Sequence, residues 1–296
     1  MRKIIIVGDS TSDLSASIRE EYGIEYVPMN YVLNGKEYKA SLDWEYHSAK
    51  EFYDLMRNGE KFTTTQVPRS TFEASFTEWL KQDCDIIYIA CSSALSGSVN
   101  LAQIIKNELA QEFPEAKIAC IDALISSFGQ GYLLMQAAKK RNEGSSFEEI
   151  VDYIENIKLN VNQFGTVSDL NYLKRAGRVT ASSAFFGNMF GVKPIIISDT
   201  KGQNYAIEKV KGFNNAINKI AEHVAKVVTD EGLDCLYITH ADCIEEAEAL
   251  KEAILSLTKF KDVKIGTIGP IVGSCVGPGT VIAFCYGATV TVEGGK

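Results

Sequence analysis

The chain has 296 residues, 46% hydrophobic, 23% charged and 10% aromatic with 6 Pro, a composition that excludes disorder at a length beyond what one core usually fills. Its 30 Lys and Arg against 38 Asp and Glu leave a net charge of −8, which argues against nucleic acid or any other chain-wide polyphosphate partner. No apolar run of about 18 residues offers a membrane span, and the opening segment meets Asp9 and Asp13 too early for a signal peptide; the chain reads as soluble and cytoplasmic.

Lys3 to Gly8 predicts a first strand, closed by the polar turn Asp9-Ser10-Thr11-Ser12-Asp13. Asp9 stands where an aspartyl-phosphate nucleophile would follow a first strand. Asp13, however, misses the Asp-x-Asp spacing that holds nucleophile and general acid over one metal. Glu25 to Leu33 predicts the second strand. Thr63-Thr64-Thr65-Gln66-Val67-Pro68 reads as a hydroxyl-rich loop ahead of a helix that Ser70 and Glu73 would begin as a capping box.

Asp85 to Cys91 predicts a strand that runs into Ser92-Ser93-Ala94-Leu95-Ser96-Gly97-Ser98 before the next helix. Serines there satisfy free backbone N–H groups, and several hydroxyls around one Gly also suggest a grip on an anion. Lys117 to Asp122 predicts another strand, and Ser146 with Glu149 forms a second capping box. Strands alternating with helices imply crossover connections, hence a mainly parallel sheet with helices on its faces.

The pattern restarts after Lys158, with strands predicted at Val192 to Asp199, Cys235 to His240, Lys264 to Val272 and Thr280 to Tyr286, and helices between them. The expected fold class is therefore α/β, with two closely packed α/β domains, 1–157 and 158–296, the first with a mainly parallel sheet. The 7 Cys lie mostly in apolar runs and read as reduced core thiols. His240 and Cys243 are half of a metal site with no second half. No P-loop or dinucleotide fingerprint is present.

Gly273-Ser274-Cys275-Val276-Gly277 has the form of a nucleophile elbow with Cys for Ser. Pro278-Gly279 and a strand follow it instead of a helix, and every His precedes Cys275, which removes the support an elbow needs. This glycine-rich loop can either let backbone approach a ligand or shape a wide hairpin.

Six segments then carry a resemblance: Asp9-Ser-Thr-x-Asp-Leu14, Thr64-Thr-Gln66, Ser92-Ser-x-Leu-Ser-Gly-Ser98, Leu170-x-Tyr-Leu-Lys-Arg-x-Gly-Arg178, Val192-Lys-Pro-Ile195 and Ile268-Gly-Pro-x-x-Gly-Ser-x-x-Gly-Pro-Gly279. In this order they resemble the DegV family over essentially the whole chain. The resemblance implies a ligand cleft between the two domains that encloses one long-chain fatty acid, with no cofactor. It also implies an acyl carrier for phospholipid synthesis in a bacterium: the protein holds the acid while a separate ATP-binding fatty acid kinase subunit phosphorylates it, with transient contact at a membrane surface.

Carried over by position, the carboxylate would be held by Thr64 or its neighbour Thr65, and by Ser96 together with Ser93. The family's usual His is replaced by Cys275, so its contact would be weaker or pass to Ser274 or a water. Gly8 stands where the family usually has Thr. Arg175 and Arg178 would face either the acyl phosphate or the kinase subunit, or lie on a solvated face. Phe185, Phe186, Met189 and Phe190 would line the acyl channel or pack in the core. The competing expectations are a small-molecule hydrolase or phosphatase using Asp9, Asp13 or Cys275, and a lipid-responsive regulator with no chemical step.

Overall fold

The computed structural model describes residues 2–180 and 191–294. The stretch holding Phe185, Phe186, Met189 and Phe190 lies outside the described residues. The chain starts with β1 (Lys3–Asp9), α1 (Ala16–Tyr22), β2 (Ile24–Val27), β3 (Asn30–Leu33), β4 (Lys36–Lys39), α2 (Ala49–Arg57) and β5 (Phe62–Thr65). It continues through α3 (Arg69–Lys81), β6 (Cys84–Ala90), α4 (Ser98–Glu112), β7 (Ile118–Asp122), α5 (Phe128–Asn142) and α6 (Phe147–Ile157). After Lys158 come β8 (Val161–Thr166), α7 (Leu170–Ala176), β9 (Val192–Ser198), β10 (Asn204–Lys211), α8 (Phe213–Val227), β11 (Cys235–His240), α9 (Ile244–Leu257), β12 (Asp262–Thr267), α10 (Pro270–Val276) and β13 (Val281–Tyr286).

A four-stranded parallel sheet, β2-β1-β6-β7, forms the centre of the first half. β6 is buried along its whole length and β1 beyond Lys3, as expected for strands covered on both faces, which therefore read as unbroken apolar runs. The second half holds a six-stranded mixed sheet, β10-β9-β8-β13-β11-β12, in which only β11 and β12 pair in parallel. The α/β class and the mainly parallel first sheet are thus both present.

Four local expectations are corrected. Glu25 to Leu33 is not one strand: it divides at Pro28, which has no N–H for a ladder, so β2 joins the parallel sheet and β3 joins a separate antiparallel sheet, β4-β3-β5. That small sheet takes up Thr63 to Thr65, expected as loop, as strand β5. Lys264 to Val272 likewise stops being a strand at Thr267; Pro270 occupies the first turn of α10, where its missing N–H costs nothing. Ser70 caps no helix, because α3 begins at Arg69 behind Pro68. The boxes that do form are Ser146 with Glu149 and Ser48 with Glu51, the second of which the sequence reading passed over.

Helix α10 belongs to the second half in sequence but packs on β5, β3 and α2 of the first. Buried hydrogen bonds fix it there: Tyr53 Oη donates to the Ile268 carbonyl at 2.6 Å, and Gly269 N donates to Asp13 Oδ1 at 2.9 Å. A further bond between the halves runs from Ser198 Oγ, which donates to the Leu124 carbonyl at 2.8 Å. The space between these seams is the site.

Candidate functional site

Three segments meet around one cavity. The loop after β5 is tied to the serine segment before α4 by a hydrogen bond from Val67 N to Ser98 Oγ at 3.2 Å. Ser98 Oγ in turn lies 3.0 Å from Ser96 Oγ, which also accepts from Ser98 N at 3.3 Å. The N-cap of α4 is Gly97, with no side-chain cap, so the serines serve this network rather than a simple cap. A Cβ on Gly97 would come within 2.2 Å of Gln66 Oε1, so the absence of a side chain there leaves room for the Gln66 amide between the two loops. α10 supplies the third wall.

The cavity has a volume of about 170 Å3 and opens to solvent. Thr64, Thr65, Gln66, Ser96 and Cys275 bring polar atoms to its wall; Met29, Leu95, Ile271, Val272 and Val276 bring apolar surface. This mixture of mostly apolar lining and a few convergent hydroxyls suits an amphipathic small molecule. Both halves contribute to it.

Of the residues singled out in the sequence, Thr64, Thr65, Ser96, Cys275 and Arg178 all line this cavity. Ser93 does not: it is exposed, and its N–H donates to Asp122 Oδ1 at 3.1 Å. Ser274 is buried with its Oγ donating to the Pro270 carbonyl at 2.6 Å, and with Arg175 it lines an adjoining outer cleft that Thr64, Cys275 and Arg178 share. Arg178 reaches back to the serine segment, Nε donating to the Leu95 carbonyl at 3.3 Å, while the Arg175 guanidinium stacks 4.9 Å from the Tyr172 ring centre. Met29, Thr11, Cys91, Ser126 and Asn204 complete the wall without having been predicted. Asn204 had no available signal, since β10 itself was not anticipated.

Cys275 sits on helix α10, not on a loop. Burial pushes its thiol up from the ordinary value, against a weaker downward pull from the Arg178 guanidinium and a hydrogen bond with Thr64. The thiol is therefore protonated at neutral pH and a poor nucleophile.

Asp9 and Asp13 are buried and fully engaged. Asp9 accepts from Thr11 N at 3.0 Å, Thr11 Oγ1 at 2.6 Å, Tyr88 Oη at 2.9 Å and Cys91 N at 3.0 Å. Asp13 accepts from Ser127 Oγ and from Gly269 N. These carboxylates organise the loop after β1; neither lines the cavity. His240 Nδ1 accepts from Cys243 N at 3.2 Å, a satisfied strand end, and no metal-holding cluster of His, Cys, Asp and Glu occurs among the described residues.

A family model described as "Uncharacterised protein, DegV family" matches residues 3–287. A DegV domain-containing protein of Clostridium perfringens is 33% identical over 289 residues, 98% of this chain and 99% of that protein. Among solved structures, a fatty-acid-binding DegV family protein from Thermus thermophilus superposes with a TM-score of 0.85 at 27% identity, covering 97% of this chain and 100% of the other. DegV of Bacillus subtilis, a fatty acid binding protein, gives 0.82 at 28% identity with the same coverage.

Proposed function

Because the chain belongs to the DegV family, we propose that it is a long-chain fatty-acid-binding protein. Its two domains, 1–157 and 158–296, hold the acyl chain between them and present the carboxylate to a separate ATP-dependent fatty acid kinase subunit. The observation that carries this reading is the cavity between the halves, where Thr64, Ser96 and Cys275 meet beside the apolar surface of Met29, Leu95, Ile271, Val272 and Val276. The relatives from T. thermophilus and B. subtilis bind fatty acids, which supports the same ligand class here.

In this reading the hydroxyls of Thr64 and Ser96 donate to the carboxylate, with Thr65 as the neighbouring donor. Cys275 gives a weak third contact from its protonated thiol. Arg178 places a positive charge beside the same atoms, and Arg175 extends that charge along the outer cleft, where an acyl phosphate or the kinase subunit meets the protein. Each buried methylene contributes about 0.8 kcal/mol relative to water, which holds the tail in the cavity against solvent. Phosphoryl transfer needs metal-holding carboxylates around ATP; the engagement of Asp9 and Asp13 with protein groups supports assigning the transfer to a partner. For the same reason the hydrolase reading draws no support from these residues.

Native mass spectrometry of the expressed protein tests the reading. The expected result is a mass increment of one long-chain fatty acid per chain, released on denaturation. Protein that keeps its bare mass after incubation with oleate contradicts it. With ATP and oleate alone, no acyl phosphate should form until a kinase subunit is added.

A further inference from the structure

A second, smaller cavity adjoins the main one and shares Ser126, Asn204, Val272 and Val276 with it. About 30 Å3 of it is accessible to the centre of a water molecule, room for a water or two, or one hydroxyl, but not for a stretch of acyl chain. Its wall is mostly apolar, with Leu173, Ile196 and Ile282, but Gln163, Thr166 and Thr280 bring polar groups to it. Most of these groups are engaged with protein. Gln163 Nε2 donates to Asn204 Oδ1 at 3.1 Å, and Thr280 Oγ1 donates to the carbonyls of Val276 and Gly277.

Thr166 is the exception. It is completely buried near the end of β8, and its Oγ1 has no hydrogen-bond partner among the described residues. A buried hydroxyl left unpaired is costly, and the great majority of such groups are satisfied. A valine would fill the same strand position with a side chain of the same shape and no such cost. The hydroxyl therefore points to a partner inside the small cavity, supplied by an ordered water when that space is free and by an oxygen atom of the ligand when one enters it.

We propose that this chain selects acyl chains bearing a hydroxyl or oxo group in mid-chain, which enters the small cavity and hydrogen-bonds to Thr166. The inference rests on the fatty-acid reading and narrows its substrate class. A plain saturated chain would pass the cavity and contribute nothing to Thr166. An oxygen substituent set at the right carbon would both fill the space and complete the hydrogen bond.

The test is a competition between stearate and the mono-hydroxystearates, with the hydroxyl moved along successive mid-chain carbons, on the full-length protein and on Thr166→Val. One positional isomer should displace stearate about fivefold to tenfold more effectively than stearate displaces itself, the scale of one hydrogen bond to an otherwise unpaired buried group. In Thr166→Val that preference should vanish while stearate binds as well or better, which also shows that the variant folds. Stearate binding with no isomer preferred overturns this inference alone, as does a preference that survives in Thr166→Val. Failure of every acid to bind the parent protein overturns the fatty-acid reading, and this inference with it.

Discussion

Asp13 and Ser127, two non-glycine residues held at positive φ of 52° and 54°, are joined by a 2.5 Å hydrogen bond from Ser127 Oγ to Asp13 Oδ2. Such backbone costs about 1 to 3 kcal/mol per residue and persists where its surroundings dictate it. Here the reason is the seam between the halves. Asp13 also receives Gly269 N, so the loop after β1, the start of α5 and the start of α10 are fastened at one carboxyl group.

That carboxyl group should make stability depend on pH. Burial pushes Asp13 from 3.8 to about 7, partly offset by the hydrogen bonds from Ser127 and Gly269. Below about pH 4 both folded and unfolded chains carry the proton, and the contribution is fully present. Between about 4 and 7 the folded chain keeps a proton that the unfolded chain gives up, so stability falls as pH rises, by on the order of 1 kcal/mol per pH unit at most. Above pH 7 the loss is complete. Thermal unfolding of Asp13→Asn should lack this component; a variant curve parallel to the parent's from pH 4 to 8 would show that Asp13 does not titrate in that window.

Gly277 should be intolerant of any side chain. Its φ is 77°, and a Cβ there would lie 2.3 Å from Tyr172 Cδ2, displacing the ring whose hydroxyl donates to the Met56 carbonyl at 3.1 Å. Gly277→Ala is expected to cost about 2 kcal/mol or more in chemical denaturation. A cost below about 0.5 kcal/mol would mean that the turn after α10 adapts freely.

Cys275→His should tighten fatty acid binding. The imidazole donates a full hydrogen bond where the thiol is a weak donor, a gain of about 1 kcal/mol or roughly fivefold in affinity. Unchanged or weaker affinity would count against Cys275 touching the carboxylate.

Thr64→Ala and Ser96→Ala should each weaken binding about fivefold to tenfold. Ser93→Ala should leave binding unchanged, because Ser93 is exposed and outside the cavity wall. If Ser93→Ala proved the most damaging of the three, the carboxylate would sit elsewhere along the serine segment.

Much of this organisation was legible in the sequence because it is local. The apolar runs of β1 and β6 and the Ser146 capping box are short-range signals that tertiary contacts do not overturn. The Thr64, Ser96 and Cys275 motifs were visible too, but composition alone could not bring them together, since their meeting depends on α10 crossing to the first half's small sheet. The errors share that cause. Ile268 to Val272 is apolar enough for a strand, and only Pro270 hinted at the helix it begins; Thr63 to Thr65 is polar enough for a loop and becomes a strand because β3 lies beside it. Thr166 gave no signal at all, because an unpaired hydroxyl is a property of the packed fold.

If a long-chain fatty acid binds in this cavity, filling the cavity with protein abolishes binding. Val272 lines both the main space and the small cavity beside it, so Val272→Trp occupies the volume from inside. Calorimetric titration with oleate should give one site per chain for the parent protein and none for Val272→Trp, with both still unfolding cooperatively. Equal binding by the two proteins, or none by the parent, would contradict the account.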